Sequence, residues 1–175
     1  MCGIYGAINY HSTISIDELN QYSRNAEKSL LHRGPDGSSS VQIKNNVILG
    51  HTRLSIIDID GGTQPMSNKD QNIWITFNGE IYNYIELKTH LKGEGHRFTT
   101  SSDTEVLIAL YEHYGMKMFD YINGMFAFCL YDTKNNKTIL ARDRFGEKPL
   151  YYSLIKNQLI FGSELKALLS YPNLD

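Results

Sequence analysis

The sequence has 175 residues, a net charge of −2, 41% hydrophobic and 21% charged residues, and two cysteines. This is ordinary composition for one globular domain, large enough to bury about 70% of its unfolded surface without disulfides. The charge balance leaves no footprint for nucleic acid or an acidic membrane, no apolar run approaches the ~20 residues of a membrane span, and no signal-peptide pattern opens the chain. With only Cys2 and Cys129 present, the expected compartment is a reducing cytoplasm.

In chain order, residues 2–9 read as a short buried strand with Gly3 and Gly6 at points of close approach. Ser15-Ile16-Asp17-Glu18 is a capping-box pattern, and Ile16, Leu19, Ala26, Leu30 and Leu31 then fall mostly on one helix face until Gly34 and Pro35 stop it. Residues 40–44 and 47–58 form a predicted hairpin around Asn45-Asn46, with Arg53 and Ser55 alternating against Leu54 and Ile56. A loop follows over 60–72. A strand at 73–77 then runs into the turn signal Asn78-Gly79-Glu80. A short helix is expected over 83–92, with Ile85, Leu87 and Leu91 apolar. Ser102 and Glu105 suggest a second capping box before the helix VLIALYEHY. A short helix or turn covers 116–122. Residues 124–132 and TILARDR pair as strands around Asn135-Asn136, residues 150–155 and 159–163 form a last hairpin, and SELKALLSY closes as a helix, with Pro172 leading into a linker. Helices sit between groups of hairpin strands and do not alternate with single strands. This pattern predicts two antiparallel sheets with helices outside.

Cys2 is the first candidate for chemistry. Removal of Met1 would place an α-amine, with a pKa near ~7.7–8.0, beside a thiol near ~8.5, so the nucleophile would carry its own base. The alternative is a small buried hydrophobe opening a strand. Asn78 and Gly79 could aim a side-chain amide and a backbone N–H at one oxyanion, although an isolated Asn-Gly pair reads as a type I′ turn. Arg53, between apolar neighbours, suits a carboxylate from a substrate or from the protein itself. Asp103 opens a helix, where an acid favours the dipole, and could also hold a substrate ammonium. Cys129 lies in an apolar strand and reads as core. The six histidines show no metal-ligand spacing, and neither GxxxxGK nor GxGxxG occurs. Residues 142–149 could be a solvated loop or a docking surface.

Taken together, MCGIYG, HRGPDG, HTRLSIID, QPM, FNGEIYNY, SDTE, NGMFAF, RDRFGEKPLYY and SELKAL resemble, in order and over nearly the whole chain, the N-terminal glutaminase domain of the asparagine synthetases, which are class II glutamine amidotransferases. The resemblance implies an α+β, N-terminal-nucleophile hydrolase fold: a four-layer αββα sandwich with two antiparallel sheets spanning 1–175. It assigns Cys2 as the nucleophile, Asn78 and Gly79 as the oxyanion hole, and Arg53 as the holder of the glutamine α-carboxylate. Asp103 takes the α-ammonium, Glu80 helps hold the substrate, and Leu54, Ser55, Ile56 and Ile57 line the pocket. His32-Arg33-Gly34 resembles a supporting loop without a catalytic role.

The implied chemistry is hydrolysis of L-glutamine through a glutamyl thioester, with no metal or cofactor in this domain. The family's pyrophosphate loop SGGxDS does not occur, so the ATP- and magnesium-dependent synthetase domain, or a separate synthetase subunit, is an expected partner. The chain ends where the family's interdomain connection begins, which reads as a fragment. A homodimer of the full-length protein is also allowed by the resemblance.

Overall fold

The computed structural model describes residues 1–10, 14–54, 61–172 and 174. Among the described residues nine strands build two sheets. The first has the order β2 (Gly37–Ile43), β3 (Val47–Arg53), β1 (Gly3–Asn9), β9 (Gln158–Gly162), β8 (Tyr151–Ile155). The second has the order β4 (Met66–Ser67), β5 (Ile73–Ile81), β6 (Gly124–Asp132), β7 (Lys137–Arg142). Every pairing between these strands is antiparallel.

Three apolar layers hold the molecule together, and each follows from side-chain alternation along the strands. Ile4, Ile8, Val47, Leu49, Ala127, Cys129 and Phe161 fill the space between the sheets. On the outer face of the first sheet, Tyr5, Ala7 and Ile48 meet Leu19, Tyr22, Ala26 and Leu30 of α1 (Ile16–Leu30) and Ala167 and Leu168 of α4 (Leu165–Leu168). On the outer face of the second sheet, Ile75, Phe77 and Phe128 meet Leu87 and Leu91 of α2 (Tyr84–Gly93) and Val106, Leu107 and Leu110 of α3 (Asp103–Tyr114). The order is therefore helix, sheet, sheet, helix, the sandwich that was expected.

The Ser15–Glu18 capping box forms in full: the Ser15 hydroxyl accepts from the Glu18 N–H at 3.2 Å and the Glu18 carboxylate accepts from the Ser15 N–H at 3.0 Å. Four local expectations change. Asn78-Gly79-Glu80 is not a turn: β5 continues to Ile81, with Asn78 opposite Ala127 and Gly79 opposite Phe126. The reason is the close approach of β6, because a Cβ at Gly79 would lie 2.2 Å from the Met125 carbonyl oxygen. Ser102 caps α3 through Glu105 N–H at 3.3 Å, but the Glu105 carboxylate turns to the N–H groups of Thr99 and Thr100, so the reciprocal half of that box does not form. Ile85, grouped with Leu87 and Leu91 as the apolar residues of α2, is 61% exposed, and the closing helix is a single turn. Among the described residues no helix is long and apolar enough to cross a membrane.

Candidate active site

One cleft opens at an end of the space between the sheets. Cys2, Arg53, Leu54, Asn78, Gly79, Glu80 and Asp103 all line it, with His51, Gln64, Thr104 and Lys148. Residues from the start of the chain, the end of β3, the end of β5 and the first turn of α3 thus meet in one place. Ser55, Ile56 and Ile57, also expected to line the pocket, lie outside the described residues, as does the remainder of the strand expected to continue to 58.

Cys2 precedes β1 and is half-buried. Its thiol faces the Leu54 backbone, with Sγ 3.4 Å from the Leu54 nitrogen and 3.5 Å from its carbonyl oxygen. Behind it, Arg33 donates from Nε to the Cys2 carbonyl at 3.0 Å and from a terminal nitrogen to Glu164 at 3.2 Å. Glu164 also takes His32 at 2.8 Å and Lys166 at 3.1 Å. Burial pushes the Glu164 carboxyl up, but the hydrogen bonds from Lys166, His32 and Arg33 outweigh it and bring it down to about 2. The His32-Arg33-Gly34 loop therefore anchors the backbone of the candidate nucleophile. Gly34 is needed because a Cβ there would sit 2.3 Å from the Thr52 backbone, and the Asp36 N–H bonds the Arg53 carbonyl at 3.0 Å. Met1 lines the same cleft, where its sulfur accepts from Lys148 Nζ at 3.6 Å.

The far wall is the edge of β5 that faces away from β6. Alternate residues of a strand direct their N–H groups to the same edge. On this edge the Phe77 N–H donates to the Gln64 side-chain oxygen at 2.6 Å and the Ile81 N–H donates to Asp103 Oδ2 at 3.1 Å. The Gly79 N–H lies on that edge between them and points into the cleft. Gln64 also donates from Nε2 to the Thr104 hydroxyl at 3.2 Å, and its carbonyl accepts from the Ser39 hydroxyl. It therefore ties the residue before Asn78 to the residue after Asp103. The Asn78 side chain is on the other face, toward the first sheet, and its Nδ2 is buried with no hydrogen-bond partner among the described residues. A buried amide donor without an acceptor is costly unless something supplies one.

Asp103 is 5% exposed. Burial raises its carboxyl, the N–H groups of Ile81, Thr104 and Asp103 itself only partly counter this, and the nearby Glu80 charge adds to the rise, leaving it at about 6. Arg53 and Asp103, opposite charges on two walls of one cleft, suit the two ends of an α-amino acid. Cys129, by contrast, is sealed between the sheets, where burial pushes its thiol far up and leaves it unreactive.

Two cleft residues were not legible as such. Gln64 sits in a stretch read only as loop, and its partners are 13 and 40 residues away. His51 was weighed as a metal ligand and opens the family-like stretch HTRLSIID, but was given no role in the site; its place two residues before Arg53 on β3, and so on the same face, was the available signal. No cluster of three or more metal-ligating side chains occurs among the described residues.

Comparison with known proteins places this geometry in context. A sequence profile described as a glutamine amidotransferase domain matches residues 1–175. The chain is 43% identical over 173 residues to asparagine synthetase [glutamine-hydrolyzing] 1 of Bacillus subtilis, covering 99% of this chain and 27% of that protein. It is 38% identical over 169 residues to asparagine synthetase B [glutamine-hydrolyzing] of Escherichia coli, covering 96% of this chain and 30% of that protein. The chain thus spans less than a third of the length of these curated relatives. Among solved structures, the glutamine phosphoribosylpyrophosphate amidotransferase of B. subtilis superposes with a TM-score of 0.78 at 23% identity over 97% of this chain and 43% of that one. A structure described as the allosteric regulatory enzyme of purine biosynthesis superposes with a TM-score of 0.80 at 24% identity, with the same coverage. At those identities the likeness is one of fold, the N-terminal-nucleophile hydrolase sandwich.

Proposed function

The chain belongs to the glutamine amidotransferase domain family, and from that premise we propose that it hydrolyses L-glutamine to glutamate and ammonia with Cys2 as the nucleophile. The observation that carries this reading is the convergence of Cys2, Arg53, Asn78, Gly79 and Asp103 on one cleft, with the Asn78 amide donor unanswered.

In this reading Met1 is removed, and the Cys2 α-amine takes the thiol proton. The substrate α-carboxylate pairs with Arg53 and its α-ammonium with Asp103, which Glu80 assists. Leu54, with Ser55, Ile56 and Ile57, lines the side-chain path. The thiolate attacks the side-chain carbonyl carbon, forming a C–S bond and an oxyanion. Asn78 Nδ2 and the Gly79 N–H donate to that oxyanion. The C–N bond then breaks, the protonated Cys2 α-amine returns its proton to the departing nitrogen, and ammonia leaves. Water adds to the glutamyl thioester and releases glutamate, restoring the thiol.

The thioester route asks for no metal or cofactor from residues 1–175. The ammonia goes to an ATP- and magnesium-dependent synthetase domain or subunit that makes asparagine from aspartate in the cytoplasm, with a homodimer as the form of the full-length protein. Support for that acceptor is the identity of 38–43% to glutamine-hydrolysing asparagine synthetases of which this chain covers less than a third.

The test is glutamate release from glutamine by this chain, with the N-terminus read by intact mass. Active protein is expected to lack Met1, and Cys2→Ala is expected to release no glutamate. Full activity in Cys2→Ala, or in protein that retains Met1, would overturn the mechanism.

A further inference from the structure

We propose that His51 reads the carboxamide of the substrate: its Nε2 accepts an N–H from the glutamine side chain, and this contact selects glutamine over glutamate. The inference rests on the glutaminase reading above and adds a residue to that site.

His51 is 1% exposed, lies on β3 opposite Ile4 of β1, and points into the space between the sheets at the inner end of the cleft. Arg53 is two residues further along the same strand and therefore on the same face, nearer the mouth. An amino acid held at its carboxylate by Arg53 extends its side chain inward, toward Cys2, Asn78 and His51.

The protonation of His51 follows from its surroundings. Burial pushes the imidazole down to about 4, the nearby Arg53 charge adds to this, and the hydrogen bond to the Phe77 carbonyl only partly offsets them. The ring is neutral at pH 7, with one N–H and one lone pair. A backbone carbonyl can only accept, so the N–H is spent on Phe77. The other nitrogen, Nε2, is buried and has no partner among the described residues. His51 lines the cleft, and this nitrogen carries the lone pair of the neutral ring.

The same cleft therefore holds one unanswered acceptor, His51 Nε2, and one unanswered donor, Asn78 Nδ2. A primary carboxamide is the complement of that pair: its oxygen accepts from Asn78 and its NH2 donates to His51. A carboxylate has oxygens only. One of them would face the His51 lone pair with no hydrogen between, which is repulsive as well as unsatisfied. Sites that hydrogen-bond a substrate N–H reject the analogue lacking it because a buried group is left unpaired. The same contact favours product departure, since hydrolysis converts a ligand that satisfies Nε2 into one that does not.

The experiment uses Cys2→Ala, which binds without turnover, and calorimetry with glutamine, glutamate and glutamate γ-methyl ester. The ester keeps the carbonyl and the shape but has no N–H. Glutamine is expected to bind about tenfold or more tightly than either analogue, the worth of one hydrogen bond plus one unpaired group. In Cys2→Ala/His51→Leu the three affinities are expected to converge to within about threefold. The inference is overturned if the ester matches glutamine with His51 intact, a result that needs no substitution at His51 to fold. It is equally overturned if the folded double variant keeps the tenfold gap. If Cys2→Ala binds none of the three, the glutaminase reading itself fails and takes this inference with it, a pattern distinct from the other two.

Discussion

Two buried aspartates at the same end of the second sheet, one beside β5 at Ile81 and one beside β6 at Phe126, show how scaffold and site differ. Asp143 is 6% exposed and Asp103 is 5% exposed, so burial raises both carboxyls. In the turn after β7, Asp143 accepts the N–H groups of Phe126 at 3.2 Å, Phe145 at 3.1 Å, Glu147 at 2.9 Å and Lys148 at 3.0 Å, and its pKa ends below the usual carboxylate value. Arg142 closes the same turn by donating to the carbonyls of Lys148 and Gly146. Asp103 has too few donors to offset its burial, and its pKa ends above the usual value. One carboxylate is complete as it stands. The other carries its charge at a cost until a cation arrives. The cleft repeats the pattern at Asn78 and His51, whose free nitrogens are buried and unanswered, whereas no side-chain nitrogen or oxygen of the 142–148 turn is buried without a partner.

That contrast can be broken by substitution. Asp143→Ala removes the acceptor of four backbone N–H groups and leaves several of them buried, so it should destabilise the fold by about 3–5 kcal/mol, read as a lower denaturation midpoint. Asn78→Ala should do the reverse: its denaturation midpoint stays near wild type, because the lost group had no protein partner, while turnover falls by about 10²–10³, the ~2.7–4 kcal/mol typical of one oxyanion donor. The glutamine KM should move by only a few-fold. Steady-state glutamate release and a melting curve on each variant separate the two. Near-wild-type turnover in Asn78→Ala would remove it from the oxyanion role.

The sandwich was legible because its causes are local. Apolar alternation in 124–132, the Ser15–Glu18 box and the Asn135-Asn136 turn each determine their element within a few residues, and the three apolar layers follow. What could not be read depends on distant partners. Asn-Gly at 78–79 has a strong local turn preference, and only the approach of Met125 and Phe126 turns it into strand. Cys2, Arg53, Asn78 and Asp103 could be named as candidates, but their meeting required the family resemblance, because no periodicity places four chain segments in one cleft. Gln64, which bridges Phe77 and Thr104, entered only as part of the family-like stretch QPM and was given no role: a glutamine in a loop is ordinary until both its partners are in place. The 142–149 stretch was read as a solvated loop or a docking surface, and the sequence did not show that Asp143 and Lys148 are buried in it while Phe145 is 87% exposed.

Asp103 offers the smallest effect and the sharpest test, because stability and binding should move in opposite directions. Its folded pKa of about 6 lies above the model-compound value of 3.8, so the folded state holds this proton more tightly than the unfolded chain does. The cost of the buried charge is absent at a pH below both values, grows between them, and is full above about 6. Asp103→Asn keeps an oxygen for the Ile81 N–H and removes that charge. It should therefore stabilise the empty protein at about pH 8, by on the order of 1–3 kcal/mol, with the gain vanishing below about pH 4. Binding runs the other way. A glutamine ammonium pairs with the carboxylate and not with the acid, so in wild type the KM for glutamine should climb as the pH falls through about 6, approaching tenfold per pH unit. In Asp103→Asn the KM should be high throughout and flat across that range. A variant that is less stable at alkaline pH, or a wild-type KM indifferent to this titration, would place Asp103 with Asp143 among the structural carboxylates.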